Sequence, residues 1–249
     1  MSQHWYDAVT GAPRYTTIGK NGKERNTTLR DAKANPGTLV PSVSTINGQL
    51  SKDGLDTWKQ SEAIKAAAEN PRGLQETEKE YIDRILYLAK AKSREAADRG
   101  TLIHDWIEAF YSQEFVPDMP SYVRTVDDSI TAHFGSQMWI PEQSLVNAQE
   151  GYGGKCDLYC KPRHDFSGVV IDFKTTEKSS GELTPYTEHT MQLAAYREVL
   201  APTARCANVY INGTTVEVAI YEHTEQDLRD GYQMFLHLLG LYKLKNKLN

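Results

Sequence analysis

Cysteine is scarce in this chain of 249 residues, which has only Cys156, Cys160 and Cys206. Three thiols make no disulfide framework, and cysteine alone cannot furnish a four-thiolate zinc or iron–sulfur site. The three read as small buried residues of a reducing compartment. Long apolar runs are missing as well. None approaches the roughly 18 to 20 residues that span a bilayer, so no membrane partner is expected. The opening "MSQHWYDAVTGAPRY" lacks the basic and apolar blocks of a signal peptide, and the expected location is cytoplasmic. Positive charge is not in excess either. A net charge of −5 excludes a wholesale basic coat for nucleic acid, but it leaves room for a local site in which carboxylates hold divalent ions. Two basic stretches stand out, "KAKSR" at 90–94 and "YKLKNKLN" at the end, and both are also compatible with solvated helix surface.

With 39% hydrophobic and 24% charged residues, the composition is that of an ordinary globular protein. Residues 1–50 are rich in Gly, Thr, Asn and Pro, with short strand-like pieces such as "RYTTI" and a turn at "GKNGK". A helix carrying Leu55, Trp58 and Ile64 follows, broken by Pro71 and Gly73. From about 75 to 112 apolar residues recur at three- and four-residue steps, with Gly100 as a break between two helices. "VPDMP" at 116–120 is a loop, and a further helix starts at "YVRTV". Strands are expected near 144–150, 153–161 and 168–174, then a helix near 188–200. Two more strands follow, joined by an Asn212-Gly213 hairpin turn, and a last helix runs from about 224 to 246. That order suggests a mixed sheet flanked by helices.

"GVVIDFKTT" at 168–176 places charge inside an apolar strand, which is costly unless something pairs with it. Alternation puts Asp172 and Lys174 on one face, roughly 6 to 7 Å apart along the strand. In the preceding strand Lys155, Asp157 and Tyr159 share a face. If the two strands pair as a hairpin, Asp157 approaches Asp172, and two close carboxylates repel unless a cation intervenes. A hard divalent ion suits oxygen ligands. Taken alone, the D-x-K triplet is usually an ion pair at a strand end, and a lone histidine is usually packed or solvated. Two helical pairs add context: His104 with Glu108, and Gln192 with Tyr196, each four apart on one helical face.

In chain order these are G-T-x-x-H, G-x-x-D, D-x-K and Q-x-x-x-Y. The set resembles the PD-(D/E)XK nuclease superfamily, in particular its RecB-like exonuclease branch of phage-type and mitochondrial enzymes, over about residues 100–200. The lead-in "VPSVSTI…LDTWK" is loosely similar as well. The resemblance implies an α/β (α+β) restriction-endonuclease-like core at 94–249, behind an N-terminal extension at 1–93 of short strands and helices. The helical block between Leu55 and Arg99 is a candidate arch or lid over the DNA strand. It implies a metal-dependent deoxyribonuclease that uses Mg2+, with Mn2+ able to substitute. Asp157 and Asp172 would be metal ligands, together with His104, the main chain of Phe173 and the acidic Glu150, with Glu108 a weaker candidate. Lys174 would orient the attacking water, and Gln192 and Tyr196 would shape the site and touch nucleic acid. Family members with an iron–sulfur cluster use one upstream and three C-terminal cysteines, and this arrangement is missing here, so no cluster is expected. The expected partner is DNA, as single strands or duplex ends, with Trp5, Trp58 and the tyrosines as stacking candidates. A homo-oligomer or a recombination or replication partner is compatible with the resemblance, as is a bacterial or phage-infected cytoplasm. A structure-specific endonuclease, and a non-cleaving or partner-dependent nucleic-acid-binding protein, stay open beside the exonuclease.

Overall fold

The computed structural model of the protein describes residues 4–51, 53–115, 117–178, 181 and 183–248, and of residues 53, 55, 92 and 93 the backbone only. The Leu55 side chain, part of the basic stretch at 90–94 and the start of the 116–120 loop therefore lie outside the described residues. The chain divides into two compact units, one of residues 1–50 with 106–249 and one of residues 51–105. Among the described residues, no helix is long and apolar enough to cross a membrane.

Five strands make the main sheet of the first unit: β5 (Ile140–Asn147), β6 (Tyr152–Cys160), β7 (Val169–Thr176), β8 (Arg205–Asn212) and β9 (Val218–Glu222). They lie side by side in chain order, antiparallel except for the β7–β8 pair. A parallel neighbour requires a crossover, and helix α6 (Thr187–Leu200) supplies it. The C-terminal helix α7 (Glu225–Asn246) opens on a capping box at Thr224 and Asp227. Both helices pack on one face of the sheet, in a core that includes Tyr152, Tyr159, Val170, Leu193, Phe235 and Leu239. On the other face, α5 (Ser121–Phe134) reaches β9, where His133 meets Glu222. The mixed sheet flanked by helices is thus observed.

At the N-terminus β1 (Trp5–Asp7) pairs with β4 (Leu39–Pro41), while β2 (Thr16–Ile18) and β3 (Glu24–Asn26) form a small hairpin. Short helices α1 (Leu29–Ala34) and α2 (Val43–Asn47) complete this region. Trp5 is fully buried, which makes it a core residue and removes it from the stacking candidates. The second unit holds α3 (Asp53–Glu69) and most of α4 (Glu78–Tyr111), tied by the Tyr81 hydroxyl donating to the Ala67 carbonyl at 3.3 Å.

Two local expectations change. Gly100 does not break the helix, since α4 is continuous from Glu78 to Tyr111. A single interior glycine costs only about 1 kcal/mol relative to alanine, and the periodicity on either side of it is unbroken. Asn212-Gly213 is not a two-residue turn either. β9 begins only at Val218, and the loop is held by Asn212 Oδ1 accepting from the Thr214 and Thr215 amides. The left-handed position falls on Val216, with φ 64°.

Candidate metal and catalytic site

Strands β6 and β7 pair through Leu158–Ile171, Tyr159–Val170 and Cys160–Val169. One step further the ladder would match Asp157 with Asp172. Instead, the Phe173 amide donates to Asp157 Oδ2 at 2.7 Å. A side-chain carboxylate has taken the place of a main-chain acceptor, so the two strands part where the two acids face each other. The D-x-K triplet falls in this opening.

Lys174 Nζ lies 2.6 Å from Asp172 Oδ2 and donates to Gln192 Oε1 at 3.2 Å. Gln192 Nε2 in turn donates to the Tyr196 hydroxyl at 3.0 Å. Gln192 and Tyr196 sit one turn apart on α6, which the β7–β8 crossover lays over this face of the sheet. Gly154, the glycine of G-x-x-D, explains how close α6 comes. A Cβ added there would lie 2.5 Å from Tyr196 Cε1, so the buried tyrosine ring rests directly on the β6 backbone.

The electrostatics follow from burying two neighbouring acids beside Lys174. Burial and the Asp172 charge push the Asp157 carboxyl up to about 7 from the usual 3.8, against the opposing pull of Lys174, the Phe173 amide and Lys155. At Lys174 burial acts downward, but the two carboxylates outweigh it, so the ammonium is held above its ordinary 10.5. For Tyr196, burial and then Asp172 raise the phenol well above its usual range, and it stays neutral. Burial likewise pushes up the thiols of Cys156, Cys160 and Cys206, which are free and buried.

The structure thus brings together Asp157, Asp172, Phe173, Lys174, Gln192 and Tyr196. Glu150 lies elsewhere, in the β5–β6 turn, where its carbonyl accepts from Lys243 Nζ at 2.6 Å. From Tyr152 to Asp157 is already five strand residues, roughly 17 Å at about 3.3 Å each. The acid that β5 sets beside Asp157 is Glu142. It falls between Pro141, paired with Leu158, and Gln143, paired with Cys156. Its backbone has φ 52° and its carboxylate contacts Lys155. His104 is half-buried on α4 in the second unit, and Glu108 is exposed on the same helix.

Two further residues at the site escaped the motif reading. Asn208 of β8 donates from Nδ2 to Asp172 Oδ2 at 3.0 Å, and His223, just after β9, meets Asn208 Oδ1 at 2.8 Å. The sequence signal was an amide inside the apolar run "CANVYI", an expensive residue to bury without partners.

Among the described residues, no group of three or more His, Cys, Asp or Glu side chains is placed to hold a metal ion. Asp157 and Asp172 are hard oxygen donors on adjoining strands, and burial is the first cause of the upward shift of Asp157, ahead of the Asp172 charge. Two neighbouring carboxylates suit a divalent cation, and their donor chemistry fits magnesium or manganese.

No protein-family model matches the chain, and no curated protein matches it in sequence. Several solved structures are similar in part, two of them as follows. SSO0001 shares 18% identity over 72% of this chain and 85% of its own, with a TM-score of 0.31. A protein from Eubacterium rectale named "Putative exonuclease" shares 11% over 61% of this chain and 69% of its own, with a TM-score of 0.43. TM-scores this low carry no assignment of fold or activity to this chain.

Proposed function

We propose that the protein is a metal-dependent DNA nuclease of the PD-(D/E)XK kind, an exonuclease working on DNA ends or single strands. One observation carries this reading. Asp157 and Asp172 face each other where β6 and β7 part, with the Lys174 ammonium 2.6 Å from Asp172. A binding module has no need to place two acids and one base in a buried opening at an electrostatic cost.

In this reading Asp157, Asp172 and the Phe173 main chain hold the ion, Mg2+ or Mn2+. When bound, that ion lowers the pKa of a water and offsets charge on the phosphate. Lys174 stays protonated and presents a compact positive charge to an attacking water or to the phosphoryl oxygens. Gln192 limits where that charge can swing, because its Oε1 accepts from Lys174 while its Nε2 is committed to Tyr196. Tyr196 is the neutral floor beneath both.

The test is digestion of end-labelled DNA, single- and double-stranded, linear and circular, with magnesium or with chelator. Wild type is compared with Lys174→Ala. The expected result is magnesium-dependent loss of linear DNA only, slowed about 10²- to 10³-fold in the variant, by analogy with loss of one transition-state donor. Cutting of circles would make the protein an endonuclease. Binding of DNA without cleavage under any metal would overturn the nuclease reading.

A further inference from the structure

Behind Asp172, on the side away from Asp157, runs a line of polar side chains: the buried Asn208 and His223, and the half-buried Thr190. Asn208 is fully buried and His223 is 5% exposed. The directions of its hydrogen bonds are fixed from one end. Asp172 can only accept, so Asn208 turns Nδ2 toward it, at 3.0 Å from Oδ2. The Asn208 amide then offers Oδ1 to His223 Nε2 at 2.8 Å, and this nitrogen must carry the hydrogen. His223 Nδ1 lies 3.4 Å from the Thr190 hydroxyl, a contact in which either atom can be the donor. Burial favours the neutral imidazole, lowering its pKa against the upward pull of Asp227 and Asp172, and the neutral ring keeps its hydrogen on Nε2.

The line joins four elements: β7 through Asp172, β8 through Asn208, the end of β9 through His223, and α6 through Thr190. It ends on Asp172, where Asn208 Nδ2 reaches the main-chain carbonyl at 3.4 Å as well as the nearer Oδ2 of the carboxylate. Lys174 and Asn208 both engage Oδ2 of Asp172, while Oδ1 has no protein hydrogen bond among the described residues. An apolar residue at 208 would serve the core at lower desolvation cost. What the amide adds is a fixed rotation of the Asp172 carboxylate.

We propose that Asn208 and His223 are positioning residues: through the Asn208 amide they lock the Asp172 carboxylate by Oδ2 and so present Oδ1 to a divalent cation. The proposal rests on the metal-nuclease reading above. Groups that orient a metal-binding side chain from behind typically contribute 10- to 100-fold in metal affinity or activity.

The experiment is calorimetric titration of the full chain with Mn2+, with DNA cleavage and thermal melting recorded on the same preparations. His223→Leu removes the donor to Asn208, and His223→Gln offers an amide nitrogen in its place. Expected is a weakening of Mn2+ binding by about 10-fold or more in His223→Leu, with cleavage falling in parallel and KM for DNA unchanged. His223→Gln should recover affinity to within about 3-fold of wild type, the size of a partly retained hydrogen bond. Should His223→Leu fail to fold, Asn208→Ala removes the direct donor to Asp172 and carries the same expectation. A lower melting temperature with unchanged Mn2+ affinity would overturn the positioning role while leaving the nuclease reading intact. Wild type that neither binds Mn2+ nor cleaves DNA would overturn both.

Discussion

Two charged clusters lie on the same sheet and invert each other's balance. In one, Asp157 and Asp172 adjoin with Lys174 between them, and the Asp157 carboxyl is pushed up to about 7 by burial and by Asp172. In the other, the single acid Glu222 sits between Arg205 and His133. Arg205 grips it through two bonds of 2.6 Å, His133 lies 3.0 Å away, and the carboxyl is held down at about 2. Both join neighbouring strands and both contain a base, an acid and a third titratable group. The second closes its own charge and reads as structure. The first sets two carboxylates side by side in a buried opening, where a metal ion would act on both at once.

The difference is broken most directly by Asp157→Asn. The amide oxygen still accepts from the Phe173 amide, but the repulsion with Asp172 is gone. The sign of the pH effect follows from the direction in which the carboxyl is pushed. A carboxyl whose folded pKa exceeds its unfolded value favours the folded state fully below about pH 4, and that stability is lost as pH rises through about 7. Metal-free wild type should therefore weaken between these limits. Asp157→Asn should be more stable than wild type at pH 8, on the order of 4 kcal/mol, because the carboxyl is raised from 3.8 to about 7 and each tenfold change in proton affinity is worth about 1.4 kcal/mol. Magnesium should raise the melting temperature of wild type and leave the variant unmoved, and cleavage should be lost. Denaturant melts at pH 5 and pH 8, with and without magnesium, measure all of this. Equal stability of the two proteins at pH 8 would mean that burial and the Asp172 charge do not raise the Asp157 carboxyl as described.

How much of this was legible beforehand depends on the range of the interaction. Period-2 alternation put Asp172 and Lys174 on one face, and the short β6–β7 connection brought Asp157 beside them. The four-residue spacing of Gln192 and Tyr196 needed only helical geometry. All of these are local or hairpin-range facts. Asn208 and His223 were not legible as partners of Asp172, because β8 reaches β7 only through the α6 crossover, and parallel register leaves no mark in a single sequence. Glu150 drew attention as the acid nearest β6 in the chain, whereas antiparallel pairing sets the more distant Glu142 beside Asp157. Gly100 misled for a different reason: the packing of a long helix outweighs the modest propensity cost of one glycine.

The aromatic groups beneath the clusters sharpen the contrast. Arg205, partly exposed at the start of β8, stacks over the Phe134 ring at 4.6 Å. Tyr196 instead presses on Gly154, where an added methyl would sit 2.5 Å from the ring. Gly154→Ala should cost about 1 to 3 kcal/mol, the range for overpacking a filled core. It should also slow cleavage, because the displaced Tyr196 takes Gln192 and then Lys174 with it. Gln192→Ala in the same background separates the two effects. If the tyrosine acts through Gln192, the second change adds little further loss of rate.

The smallest effect belongs to Glu222→Gln. Arg205 and Glu222 are each about a third exposed, and a partly solvated ion pair typically contributes no more than about 1 kcal/mol. The variant should lose up to that amount at pH 7 and cleave DNA at the wild-type rate. Its pH window is the reverse of that of Asp157. A carboxyl held below its unfolded value stabilises the fold above about pH 4.5, and this is lost as pH falls toward about 2. The stability gap between wild type and Glu222→Gln should therefore close in acid, while the gap between wild type and Asp157→Asn opens toward alkaline pH. If both gaps moved in the same direction, charge balance would not be what separates the two clusters.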